Sequence, residues 1–229
     1  MNENDAHSKT PRRGFLGSLA AGAATFGIST LAPLGLSATP ESSVMAGEAD
    51  AWFDKVKGKH RVVFDVPEPH EIFQFAWPRI FLMTNANTGT PENECGVVIV
   101  LRHNSIPFAM NDSLWAKYKF GEMFKIDDTV TKAPAVRNAF WKPKPGDFSA
   151  PGLGPLPIGI NDLQASGVMI CVCDMALRVY SAVAAGAGDA AAVKQEFVAN
   201  VLPGIQVVPS GVWALGRAQE KKCAYIFVG

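Results

Sequence analysis

From Arg61 onward, short apolar runs of strand length alternate with longer stretches in which apolar residues recur at helical spacing. Arg61-Val62-Val63-Phe64-Asp65-Val66 is a β-rich run that Pro67-Glu68-Pro69 ends. His70 to about Ala86 carries Ile72, Phe73, Phe75, Ala76, Ile80, Phe81 and Met83 on a helical period, with Pro78 expected to kink it. Cys95-Gly96-Val97-Val98-Ile99-Val100-Leu101 is continuously apolar, as a strand buried on both faces requires, and it ends at Arg102-His103-Asn104. A helix holding Trp115, Tyr118 and Phe120 follows, then a segment from about Asp127 to Pro157 that is rich in Pro, Gly and Lys and has no period.

The second half repeats the rhythm. Asn161 to Ala165 ends a helix, and Gly167 to Val172 is a third buried strand with a helix from Met175 to about Ala185. Ala187 to Val201 is helical, Ile205 to Val208 is a fourth strand, Pro209-Ser210 opens a helix to about Glu220, and Cys223 to Val228 is the last strand. Repeated βα units of this size imply an α/β fold, with an open, mostly parallel five-stranded sheet and helices on both faces. At 229 residues the chain suits one sizeable domain, expected over residues 60–229. Residues 39–59 read as a spacer, and the long loop at about 127–157 is expected to be functional or an oligomer contact.

Before the spacer stands a different pattern. Thr10-Pro11-Arg12-Arg13-Gly14-Phe15-Leu16 pairs two arginines with the bulky apolar residues that the twin-arginine (Tat) export pathway reads, and Gly17 to Leu36 is uncharged and apolar. Its glycines, Pro33 and modest hydrophobicity suit a removable signal over 1–38 rather than a permanent membrane span. The reading is export to the periplasm or beyond, with the Tat translocase as a transient partner. Lys+Arg and Asp+Glu are equal at 21 each, so nothing in the bulk charge favours nucleic acid. No GxGxxG, Walker A, HExxH or GxSxG motif is present, and no cofactor is implied.

In a parallel sheet the functional crevice lies at the carboxyl ends of the strands. Asp65 and His70 follow the first strand, His103 and Asn104 the second, and Cys173 the third. A thiol where a strand hands over to a helix feels the positive end of the macrodipole, which favours thiolate, while the neighbouring Asp174 opposes it. His103 can serve as an acid/base group or as a histidine bonded to backbone. Ser210 stands at a helix start, as an anion contact or an ordinary N-cap. Cys171 falls within the strand, where a buried thiol acts as a small hydrophobe. Cys95 and Cys223 begin strands, at the opposite edge. On one strand Cys171 and Cys173 would have Cα atoms roughly 6.6 Å apart, near the limit for a disulfide.

The run Gly167-Val168-Met169-Ile170-Cys171-Val172-Cys173-Asp174-Met175-Ala176-Leu177 resembles the segment of the DsrE/DsrF-like family in which a strand ends in a cysteine. Leu202 to Leu215, then Ala218-Gln219 and the Cys223–Val228 run, is similar to the family's C-terminal signature, and Val98 through Phe108 to its second strand and turn. The resemblance covers roughly Lys59 to Gly229 and implies a flavodoxin-like parallel sheet and homo- or hetero-oligomers, often trimers or hexamers. It implies for Cys173 the role of a sulfur acceptor, carrying a persulfide between a donor and an acceptor protein. The export signal and the length of the 127–157 loop depart from the family's pattern.

Three functions are therefore carried forward. The first is a sulfur carrier with Cys173 as acceptor and His103 near it. The second is a module binding a small ligand or a soft metal through Cys171, Cys173, His103 and a methionine. The third is a structural, oligomeric subunit without turnover.

Overall fold

Five of the apolar runs assemble into one parallel sheet, in which the three central runs, His60–Val66, Cys95–Leu101 and Met169–Cys173, are buried between helices on both faces, whereas the edge run Ala224–Phe227 stays exposed. The computed structural model describes residues 40–229, with side chains from residue 45. The signal, including Arg12 and Arg13, lies outside the described residues. In chain order the elements are α1 (Pro40–Phe53), β1 (His60–Val66), α2 (Phe73–Asn87), β2 (Cys95–Leu101), α3 (Asp112–Lys117) and α4 (Phe120–Phe124). A two-stranded antiparallel pair, β3 (Ser149–Ala150) and β4 (Gly154–Pro155), precedes α5 (Ile160–Ala165) and β5 (Met169–Cys173). The chain then runs through α6 (Asp174–Ala185), α7 (Ala190–Ala199), β6 (Ile205–Val208), α8 (Gly211–Glu220) and β7 (Ala224–Phe227). Among the described residues no helix is long and apolar enough to cross a membrane.

The sheet has the order β6-β5-β2-β1-β7, all parallel, with β1 and β2 paired from His60↔Cys95 to Val66↔Leu101. Alternation along the strands divides the core in two. Val62, Phe64, Val66, Val97, Ile99 and Leu101 face one cluster with α2 and with α6 and α7 through Leu177 and Phe197. Val63, Val98, Val100 and Cys171 face the other, against Ala214 and Ala218 of α8 and Phe53 of α1. The open α/β architecture expected from the apolar rhythm is thus the one observed.

Two segments differ from expectation. Most of the supposed spacer, residues 40–53, is α1, whose Ala49 and Phe53 are fully buried. Phe53 meets Trp213 edge-on at 6.0 Å, Asp50 pairs with Arg217 of α8, and Asp54 pairs with Lys221 just after it. The apolar period there is weak because only a few side chains of α1 touch the sheet. The helix expected around Trp115 is instead two short helices, α3 and α4, broken where Lys119 adopts a left-handed φ of 51°.

The 127–157 segment has almost no regular structure, as expected, yet it belongs to the core. Asn138, 1% exposed, donates from Nδ2 to the carbonyls of Phe108 (2.9 Å) and Met110 (3.0 Å) and accepts from the Phe140 amide. Phe140 stacks on Phe148 with ring centroids 4.9 Å apart and meets Phe108 edge-on. A side chain that supplies bonds to three backbone groups does the work that a helix or strand ladder would otherwise do. Replacing Asn138 with Ala should therefore cost about 2–3 kcal/mol in urea unfolding, since buried carbonyls lose their donor. A loss below about 0.5 kcal/mol, the level of an ordinary surface substitution, would show that the loop lies outside the cooperative unit.

Candidate functional site at the carboxyl ends of the strands

The crossovers β1→β2, β2→β5 and β5→β6 all pass over the first face, whereas α8 returns over the second face to place β7 beside β1. The helices that leave β5 and β6 therefore diverge to opposite sides, and a crevice opens at the carboxyl ends of these two strands. A groove of about 620 Å³ lies there, with Arg102, His103, Cys173, Tyr180, Ser210 and Gly211 among its lining residues. Met175, Ala176, Val179 and Val212 make its walls largely apolar.

Cys173 ends β5 and is also the N-cap of α6, its Sγ accepting the Ala176 amide at 3.3 Å. It is 6% exposed. Ser210 occupies the matching place before α8, where its Oγ accepts from the Trp213 amide at 3.2 Å. Ser210 is thus an N-cap that also lines the groove. The two helix starts direct their unpaired N–H groups toward the same crevice end of the sheet.

Asp65 lies beneath the groove rather than on its wall. The residue is 1% exposed, and its carboxylate accepts from Arg102 Nε at 2.6 Å and Nη2 at 2.9 Å and from the Tyr225 hydroxyl at 2.7 Å. These bonds hold the Arg102 guanidinium above its ordinary pKa against the cost of its burial, with the negative charge of Asp65 adding to the effect. Burial and the bond to Asp65 likewise push the Tyr225 hydroxyl up. Arg102 is the residue that sequence reasoning overlooked. Its signal was an acid inside an apolar strand, since a buried carboxylate demands a cation. The register pairs Val66 with Leu101, which puts Arg102 just beyond that acid.

His103 begins a 3₁₀ turn (His103–Ala109) with a left-handed φ of 49°, and its side chain is 55% exposed. Its Nδ1 stands 3.3 Å from the Tyr180 hydroxyl and its Nε2 3.4 Å from Glu68. Asn104 completes the ring, donating to Glu68 at 2.7 Å and accepting from the Tyr180 hydroxyl. Burial, with the charge of Glu68, pushes the Tyr180 hydroxyl up. This network borders the groove, and among the described residues Cys173 receives its one hydrogen bond from Ala176, not from His103.

The remaining candidates sit elsewhere. His70 stacks against Phe73 and Trp77 and donates its amide to Gln74, away from the groove lining. The carboxylate of Asp174 points to α7, pairing with Lys194 at 2.7 Å and Arg178 at 3.6 Å. Cys171 is fully buried against α8, and burial pushes its thiol far up. Burial also raises the Cys95 thiol, aided by Glu92 and Glu94, and the Cys223 thiol, eased by Arg61. The four cysteines are free. Among the described residues, no three of His, Cys, Asp or Glu are grouped to hold a metal ion. A hollow of about 640 Å³ at the amino ends of β2 and β5 is lined by Lys55, Lys57, Cys95 and Ser166, and no diverging pair of helix starts faces it.

No family model matches this chain, and no curated protein does. Among solved structures it is similar to the protein of unknown function MTH1491 from Methanobacterium thermoautotrophicum, with 19% identity and a TM-score of 0.41. That likeness covers 74% of this chain and all of the other. The reading of the site accordingly rests on its own geometry.

One glycine is fitted to that geometry. A Cβ on Gly211 would lie 2.5 Å from Cβ and 2.8 Å from Cδ of Arg102. The first turn of α8 and the Arg102 stem are therefore packed backbone against side chain. Gly211→Ala should lower thermal stability by about 1–3 kcal/mol through overpacking. Combined with Arg102→Ala the loss should be clearly less than additive in a double-mutant cycle, and strict additivity would show that the two residues do not compete for space.

Proposed function

We propose that this chain is an exported sulfur carrier in which Cys173 accepts sulfur as a persulfide. The observation that carries this reading is the position of Cys173: its thiol caps a helix at the floor of an open groove and has a guanidinium in the same lining. A persulfide there gains from the helix N-terminus and from Arg102, which favour a sulfur anion. The other three thiols are raised by burial and sit away from the crevice. The resemblance of Gly167 to Leu177 to the DsrE/DsrF-like segment supports the same role, and the Arg12-Arg13 signal supports export through the Tat route. His103 and Tyr180 at the groove's border supply groups able to exchange protons with a bound partner.

A second reading is a structural subunit of a homo-oligomer. Met175, Val179 and Val183 form an exposed apolar stripe along α6, and Val212 is exposed on α8. Such a stripe suits a contact with another chain.

Incubation of the purified protein with a sulfane-sulfur donor, followed by peptide mass spectrometry, separates the two. The expected result is one added sulfur on Cys173, removed by a thiol reductant and absent in Cys173→Ser. No increment on Cys173 in the wild type would sink the carrier reading. Unchanged assembly and phenotype in Cys173→Ser would then favour the structural one.

A further inference from the structure

The guanidinium of Arg102 is committed on one side only. Its Nε and Nη2 are spent on Asp65, while Nη1 makes no hydrogen bond to the described residues. The side chain is 26% exposed and lines the same groove as Cys173. A bidentate carboxylate behind an arginine fixes the plane of its fork, so the free nitrogen is presented in a set direction at little further entropic cost. Asp65 is in turn fixed by the Tyr225 hydroxyl, and Gly211 leaves the space that the Arg102 stem fills. Three separate elements thus hold one cation in the groove that Cys173 also lines.

The walls add a second constraint. Met175, Ala176, Val179 and Val212 offer polarisable and apolar surface with few hydrogen-bonding groups. This combination suits a small anion whose charge is diffuse and whose body is sulfur, since thioether and hydrocarbon walls favour soft, polarisable atoms.

Resting on the sulfur-carrier reading, we infer that the groove receives small inorganic sulfane-sulfur anions, such as thiosulfate or a polysulfide, with Arg102 as their charge receptor and Cys173 as the nucleophile. The Cys173 thiol first releases its proton to solvent through the open mouth of the groove. The thiolate then attacks the terminal sulfane sulfur, a new S–S bond forms on Cys173, and the donor's S–S bond breaks. The electron pair of the broken bond leaves with sulfite, or with a polysulfide one sulfur shorter, and a persulfide anion remains. The sulfur moves at its zero oxidation level, so no oxidant or reductant takes part. The difficulty is electrostatic: an anionic nucleophile meets an anionic donor. A cation touching the donor's charged end offsets that repulsion and the charge on the leaving group.

The test compares wild type with Asp65→Asn/Arg102→Gln, which removes both charges of the pair while keeping hydrogen-bonding groups in place. Circular dichroism melting checks that the variant is folded, and Arg102→Lys keeps the charge as a conservative rescue. Two rates at Cys173 are read by peptide mass spectrometry. The first is alkylation by anionic iodoacetate against neutral iodoacetamide. The second is persulfide formation from thiosulfate and, separately, from tetrasulfide. In the double variant the iodoacetate rate and the persulfide rate should each fall about tenfold, a modest share of what one close charge pair supplies. The iodoacetamide rate should hold within about twofold, as for a reagent without charge. Arg102→Lys should keep the preference for the anion. Labelling by thiosulfate alone identifies an oxyanion donor, by tetrasulfide alone a polysulfide, and by both the shared class. Equal persulfide rates in wild type and double variant would overturn the inference and leave the carrier reading standing. A wild type that prefers iodoacetate but takes sulfur from neither anion, while accepting it from a protein persulfide, would likewise overturn the substrate class alone. No sulfur from any donor would remove both.

Discussion

A carboxylate in the next-to-last position of β1, with 1% exposure, sets the terms for the whole crevice end of this protein. Removing a carboxylate from water costs several kcal/mol unless it is both paired and hydrogen-bonded. Asp65 meets that demand with a fork of two bonds from Arg102 and a third from Tyr225. The pair ties together the ends of β1, β2 and β7, and the Val228 amide adds a bond to the Asp65 carbonyl at 2.8 Å. Breaking such a pair leaves an uncompensated buried charge, so the orientation of Arg102 is dictated by the core rather than by the solvent.

The site follows from that restriction together with the sheet's topology. Since α6 and α8 leave adjacent strands toward opposite faces, their first turns are brought together over a gap that no side chain of the core fills. Into that gap come a thiol from the last residue of β5, an N-cap serine from the end of β6 and a fixed cation from the end of β2. Each group stands within two residues of a strand's end, close to the rigid sheet, which keeps a site precise. The histidine differs. His103 sits on a strained left-handed turn, half exposed, with its ring held by Tyr180 and Glu68.

Much of the fold was legible in the sequence because two-sided burial writes a strand as an unbroken apolar run. Cys95–Leu101 is apolar throughout, and all seven of its residues are buried. Helix α1 was not legible, since its contact with the sheet is confined to a few residues such as Ala49 and Phe53. Nor was the packing of the 127–157 segment, where a single asparagine replaces the periodic signal with side-chain bonds to backbone. At the site, Cys173, His103 and Ser210 were readable as strand-end residues, because position along a strand is what an apolar run reports. Asp174 and His70 were misplaced on the same logic, which fixes where a residue sits but not where its side chain points. Arg102 is the converse: its importance arises from a carboxylate 37 positions earlier, and only the β1–β2 register brings them together.

The strand order carries a further consequence for how the chain reaches its native state. Among the described strands β7, the last, pairs with β1, the first, so that Val62 lies beside Ala224 and Asp65 beside Phe227. The hydroxyl that completes the bonding of Asp65 comes from a residue 160 positions away. Contacts that close so long a loop are slow to form, since the entropy of closure is lost before any pairing offsets it. Until β7 pairs, β1 has one edge unpaired and its buried acid is short of one donor. The crevice end of the sheet is therefore completed only once β7 has paired with β1.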